Sequence, residues 1–220
     1  MNLFNEMKKP TVENFRFKKS EIGVFSNSPD SVVDLIKPNC RIMGLTNGAF
    51  SLIDLIYSIL KKIGKSDVII TTWSAGIKDA FNVKWMIENS LIDKFSLITD
   101  HSYVTRQKKY ALTLDDLFGK ENIRTSEIHA KFTLIKNNDY NICIRTSMNL
   151  NANRTTENFE IDDDKDICDF YYSFIENTFK NQGDGFEPKS FVVNKTVKEF
   201  FNKNPKSKEQ SGDFIFFSNE

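Results

Sequence analysis

The stretch Asp67 to Trp73, DVIITTW, constrains the fold most. Five β-branched residues follow one another with no polar alternation. Such a run favours an extended backbone, because branching at Cβ restricts χ1 and packs well on a pleated surface. A strand with no polar face has to be covered on both sides, which is the situation of a strand inside a partly parallel sheet. The flanking segments supply the cover. Ser51 to Ile63 repeats Leu52, Leu55, Ile56, Ile59, Leu60 and Ile63 at helical spacing and ends on Gly64, and KDAFNVKWMIENSLI returns to the same period after the strand.

The rest of the chain continues the alternation. CRIMGL before the first helix and FSLIT after the second read as strands. TLDDLFG reads as a short helix opening on a Thr cap and closing on a Gly, and DKDICDFYYSFIENTFK as a long final helix. This β-α-β-α-β order predicts an α/β domain with a mixed, partly parallel sheet flanked by helices. The expected organisation is an N-terminal extension over 1–38, one domain over 39–201, and a C-terminal linker with a short apolar strand, FIFF, over 202–220.

Composition narrows the partners. The 30 basic and 30 acidic residues cancel, so no global field draws the chain to nucleic acid or an anionic membrane, and any such contact has to come from a local patch. Cys40, Cys143 and Cys168 are odd in number and contain no CxxC, which argues against a disulfide framework or a structural zinc and fits a reducing, cytoplasmic setting. No segment reaches the roughly 18 consecutive apolar residues of a membrane span, and MNLFNEMKKPTVENF lacks the apolar core of a signal peptide.

A second stretch, IHAKFTLIKNNDYNICIRTSMNLN (Ile128 to Asn151), sets polar groups into apolar β-structure. Read as a hairpin, it puts His129, Lys131 and Thr133 on one strand face. A three-residue turn at Asn137 to Asp139 pairs Phe132 with Ile144, Leu134 with Ile142 and His129 with Ser147. That register matches apolar to apolar better than the one-residue shift that sets Phe132 against Cys143. It gathers His129, Lys131, Arg145 and Ser147, with Asn149 one step beyond, as donors and an imidazole suited to an anionic oxyacid.

The residues HAK…TSMN resemble the His-x-Lys…Gly-Ser-x-Asn signature of the phospholipase D superfamily. TTENFEI (Thr155 to Ile161) is similar to the Glu-Asn-strand segment that follows it in small bacterial endonucleases of that superfamily. The resemblance covers roughly residues 128 to 161 and implies a phospholipase D-like fold and a metal-independent phosphodiesterase with no cofactor. It makes His129 the nucleophile that forms a phosphohistidine. Lys131 and Asn149 hold phosphoryl oxygens, Ser147 assists them, and Glu157 orients the imidazole. Two positions depart from the signature. Lys136 stands where the family has Asp, and Asp139 belongs to the turn; Thr146 stands where the family has Gly before the Ser. Members with one motif dimerise to bring two histidines together, and the second histidine here, His101, is followed by Ser102 and Tyr103 and makes no second motif. A C2 homodimer with a shared site is therefore expected.

Each feature has a plainer reading beside the functional one. A lone histidine in an apolar strand is usually a packed core residue; it is Lys131, Ser147, Asn149 and Glu157 in step with His129 that argue for chemistry. IGKSD lacks the first glycine of a phosphate loop, and LTNGAFS reads as a turn and helix cap. Trp73 and Trp85 read as core, although Trp73 closes a strand at a position where α/β sites sit. RQKKY offers Arg106, Lys108 and Lys109 as contacts to a phosphate backbone, with Lys61, Lys62 and Lys65 as further candidates; a solvated charge run is the simpler account. Size and the single motif favour a nuclease acting on DNA or RNA, while zero net charge weighs against it. A catalytically silent phosphate-pocket binding module, or a lipid or small phosphodiester hydrolase, are the other readings.

Overall fold

The structure is a computed structural model and describes residues 20–152 and 154–186. Eight strands form one sheet: β1 (Ser20–Phe25), β2 (Cys40–Thr46), β3 (Ser66–Thr72), β4 (Ile92–Asp100), β5 (Ile123–Ser126), β6 (Phe132–Lys136), β7 (Asn141–Thr146) and β8 (Glu157–Asp163), in the order β1-β2-β8-β7-β6-β3-β4-β5. β1 and β2 are parallel, as are β3, β4 and β5; the other pairs are antiparallel. This is the mixed, partly parallel sheet that the alternation of periods predicts. The helices are α1 (Pro29–Val33), α2 (Leu52–Ile63), α3 (Ile77–Glu88), α4 (Tyr103–Arg106), α5 (Lys108–Phe118) and α6 (Lys165–Asn181), with a 3-10 turn at Lys120–Asn122. None of the described helices is long and apolar enough to cross a membrane.

β3 lies between β6 and β4 and is covered on both faces. The larger core joins Val68 and Ile70 to α2, where Leu52, Ile53, Leu55, Ile56, Ile59 and Leu60 are buried. Each such side chain contributes about 1.5–3 kcal/mol when fully buried, so this one helix face outweighs any single polar contact in the fold. A capping box starts α2: Ser51 Oγ accepts from Asp54 N at 3.3 Å, and Asp54 Oδ2 accepts from Ser51 N at 2.8 Å. The smaller core lies under α6 and contains Ile98, Ile128, Phe132, Leu134, Cys143, Ile167, Cys168 and Ile175. All three cysteines are free and buried.

Four expectations need correction. Residues 20–38, expected to lie in an extension, join the domain: β1 pairs with β2, and Val32, Val33 and Ile36 are buried. The helix expected at TLDDLFG begins earlier, at Lys108, so RQKKY is largely its first turn, with Lys108 and Lys109 exposed; Thr113 is interior and its hydroxyl donates to Lys109 O at 3.0 Å. Neither tryptophan is core: Trp73 is half-buried and Trp85 is 49% exposed. The hairpin register is also one residue off: Phe132 faces Arg145 and Leu134 faces Cys143.

The register argument failed because both faces of β6 are buried, so pairing apolar with apolar carries no information about parity. The turn decides instead. Asn137 Oδ1 accepts from Asp139 N and Tyr140 N, both at 2.9 Å, and Asn137 N donates to Tyr140 O at 3.1 Å, making residues 137–140 the loop. Its Nδ2 donates to Ile63 O at 2.9 Å and to Ser66 Oγ at 3.2 Å, tying the turn to the end of α2. The segment 187–220, including FIFF, lies outside the described residues.

Asn137→Ala removes all the side-chain bonds of this turn. At about 0.5–1.5 kcal/mol for each of the four bonds, the variant is expected to lose about 2–6 kcal/mol, read as a lower urea midpoint with an unchanged slope.

Candidate active site

The topology brings the candidate residues to one end of the sheet. β3, β4 and β5 are parallel, so their C-terminal ends coincide, and β6 starts beside the end of β3, with Phe132 opposite Thr71. β7 ends beside the start of β6, and β8 starts beside the end of β7, with Thr146 opposite Phe159. Trp73, Asp100, His129, Lys131, Ser147, Asn149 and Glu157 therefore flank strand ends along one rim, where ligands commonly bind in α/β sheets.

His129 and Lys131 precede β6 rather than standing within it. His129 is exposed, while its neighbours Ile128 and Phe132 are buried, so the imidazole stands on a short segment anchored on both sides. Ile128 N donates to Asp100 Oδ2 at 3.3 Å. Lys131 Nζ donates to His129 O at 2.8 Å and lies 3.4 Å from His129 Nδ1. Burial lowers the Lys131 pKa from its ordinary value, although the Glu157 charge works the other way. An ammonium that burial has partly stripped of water gains more from an arriving anion than a solvated one does.

A cleft of about 550 Å³ opens beside these residues, lined by His129, Lys131, Arg145, Ser147, Glu160 and Tyr171 among others. The Ser147 hydroxyl donates to Glu157 Oε2 and accepts from Asn158 N at 3.1 Å, and Thr155 Oγ1 donates to Glu157 Oε1 at 3.4 Å. Asn149 stands further back: its Oδ1 accepts from Thr72 Oγ1 at 3.3 Å, and Leu150 N donates to Ser74 O at 3.2 Å, pinning this loop to the end of β3.

The basic candidates separate by what holds them. Arg145 sits on the α6 face, where its Nη2 reaches Asp162 Oδ2 at 2.5 Å and Glu160 Oε2 at 2.7 Å. Asp162 is fully buried and also pairs with Arg41 Nε at 2.8 Å. Burial works against the Arg145 charge, but Asp162 and Glu160 outweigh it and raise its pKa. Lys62 donates to Val33 O and Ile36 O at 2.7 and 3.1 Å, and Lys65 pairs with Asp93. With Lys61, they lie near the start of β3, at the sheet end away from His129. Lys136 donates to Asp169 Oδ1 at 3.3 Å and binds α6 to the hairpin. Lys108 and Lys109 are exposed on α5, and Arg106 packs over Trp73.

Sequence reasoning passed over Asp100 and read Trp73 mainly as core. The only advance signal was the position of Trp73 at a strand end. Among the described residues, no three His, Cys, Asp or Glu side chains gather so that they could hold a metal ion.

The chain matches no protein-family model and no curated protein. Solved structures share its chain path in part. NucT from Helicobacter pylori is 17% identical with a TM-score of 0.49, over 66% of this chain and 99% of that one. Nuc from Salmonella typhimurium, a phospholipase D family member, is 12% identical with a TM-score of 0.45, over 67% of this chain and 98% of that one. Phosphatidylserine synthase from Haemophilus influenzae is 12% identical with a TM-score of 0.44, over 77% of this chain and 45% of that one. Identities this low bear on the fold alone, and the chemistry of the site rests on its own residues.

Arg145→Met tests whether Arg145 serves the fold. Removing one partner of a buried ion pair costs roughly 3–5 kcal/mol; with Arg41 still on Asp162, a loss of about 2–3 kcal/mol is expected by chemical denaturation. An unchanged midpoint would instead leave Arg145 free to serve a ligand.

Proposed function

We propose that the chain is a metal-independent phosphodiesterase acting on DNA or RNA through a phosphohistidine on His129. One observation carries the reading: an exposed imidazole has a partly desolvated ammonium 3.4 Å from its Nδ1, and both line a cleft large enough for a phosphodiester group. A neutral imidazole is a workable nucleophile near pH 7, and fixed cations beside it stabilise charge on the phosphoryl oxygens.

The attack needs the tautomer that carries its proton on Nδ1, leaving the Nε2 lone pair for phosphorus. Nε2 bonds to phosphorus as the bond to the leaving oxygen breaks, and a general acid protonates that oxygen. Water, giving its proton to the group that had acted as the acid, then attacks the phosphohistidine; the N–P bond breaks, and the phosphate monoester leaves with the imidazole restored. Lys131 has three N–H donors; the Nδ1–H tautomer cannot accept from it, so with one donor engaged on His129 O two remain for nonbridging oxygens. Ser147 hydrogen-bonds Glu157, and Glu157 places a negative charge where it is felt at Lys131, balancing the site before substrate arrives.

The general acid in this reading is His129 of a second copy across a two-fold axis, which makes the working species a homodimer. His101 lies on the same rim after β4, with Nδ1 3.8 Å from Asp100 Oδ2, and is the in-chain alternative.

Incubating plasmid with the protein in EDTA tests the reading, with light scattering on the same preparation. Nicking that resists EDTA and falls at least about 1,000-fold in His129→Ala is expected from a dimer, as for loss of a covalent nucleophile. Equal nicking by the variant would overturn the nucleophile assignment, and a strict monomer that cleaves would transfer the acid role to His101.

A further inference from the structure

The rim holds a stacked array that the phosphodiesterase reading does not use. The Trp73 ring centroid lies 5.7 Å from that of His129, with the planes 49° apart. The guanidinium carbon of Arg106 lies 3.7 Å from the Trp73 centroid. Arg106 Nη2 donates to Trp73 O at 3.0 Å, and Nε donates to Ser102 Oγ at 3.1 Å. Ser102 Oγ donates in turn to Asp100 Oδ1, which also accepts Ser102 N at 2.9 Å. The other oxygen of Asp100 accepts Ile128 N, one residue before His129. One carboxylate thus holds both the backbone entering His129 and, through Ser102 and Arg106, the indole beside its ring.

From this geometry we propose that Trp73, clamped by Arg106, is the positioning residue for the His129 imidazole. The proposal rests on the phosphodiesterase reading for its kinetic consequence, but not for its structural one. An exposed imidazole turns readily about χ1 and χ2, and nucleophilic attack needs its free nitrogen in line with the scissile bond. The indole limits that rotation from one side while Lys131 holds the other. Arg106 uses two of its donors on Trp73 O and Ser102 Oγ and covers the indole, so both it and Trp73 are already committed. A phosphate clamp would want that guanidinium free, and a base-stacking platform would want an open ring face.

The charged groups around His129 are Lys131 from its own segment, Glu157 from β8, Arg145 and Glu160 from β7 and β8 across the cleft, Arg106 behind the indole, and Asp100 through Ile128 N. Replacing Trp73 leaves all of them in place.

The experiment compares wild type, Trp73→Ala, Trp73→Phe and Arg106→Gln in full-length protein. It uses turnover of bis-p-nitrophenyl phosphate and NMR side-chain couplings of the imidazole, with the His129 signal assigned through His129→Ala. In Trp73→Ala, kcat is expected to fall on the order of 10–100-fold, the scale of a misplaced reacting group, with KM within about threefold. The His129 ring, held in one orientation in the wild type, is expected to average over χ1 and χ2 rotamers in Trp73→Ala, read from its side-chain couplings. Trp73→Phe should recover most of kcat, and Arg106→Gln should fall between. A Trp73→Ala protein that melts as wild type, turns over within twofold of it and keeps a single His129 ring orientation overturns the proposal. So does a Trp73→Phe as slow as Trp73→Ala. If the wild type cleaves no diester, the phosphodiesterase reading fails while the ring-orientation measurement still decides the role of Trp73.

Discussion

The site depends on one buried contact between two strands of opposite direction. Thr71 Oγ1 donates to Phe132 O and accepts Phe132 N, both at 3.0 Å. Thr71 is fully buried, so neither of its bonds competes with water. This pair fixes where β6 begins against the end of β3, and so where His129 and Lys131 stand relative to Trp73. A slip of one residue would turn both polar groups over and bury them among the side chains under α6. β3 is thus both the middle of the core and the ruler from which the rim is measured.

Charge is distributed with similar economy. With 30 basic and 30 acidic residues, the chain has no net field, and most cations near the sheet are already committed. Arg41 and Arg145 neutralise Asp162, Lys62 gathers the carbonyls that end α1, and Lys136 ties α6 to β6. Lys131 differs. Its carboxylate influence, Glu157, is shared with Ser147 and Thr155, and burial has stripped part of its hydration. In the proposed reading, recognition of an anion at this rim therefore depends on the position of one ammonium rather than on the overall balance.

Element type and order were legible in the sequence because β3, α2 and α6 carry strong periods or unbroken β-branched runs. HAK, which precedes β6, and TSMN, which runs out of the end of β7, were also legible as breaks in the apolar pattern. The hairpin register was not, because burial on both faces erases the alternation that would report parity, and the side chain of Asn137 sets the turn. Trp73 was hidden for a related reason. An aromatic at a strand end reads the same in sequence whether it turns into the core or onto a histidine 56 positions away in the chain. β1 was missed because its residues are mixed in polarity, and only pairing with β2 gives them a fixed place.

Thr146, where the resembling signature has glycine, shows how such a departure can be absorbed. Its hydroxyl donates to Asn158 O at 2.5 Å and accepts Met148 N at 3.0 Å. Ser147 N also donates to Asn158 O, at 3.2 Å, and Asn158 N donates back to Ser147 Oγ. The threonine oxygen therefore closes the turn leaving β7 and helps present the Ser147 hydroxyl to Glu157. Glycine would leave that turn with more freedom to lose on folding and without the two bonds. A side chain at 146 thus has a structural occupation of its own, and its hydroxyl is engaged with the backbone of β8 and of the turn itself.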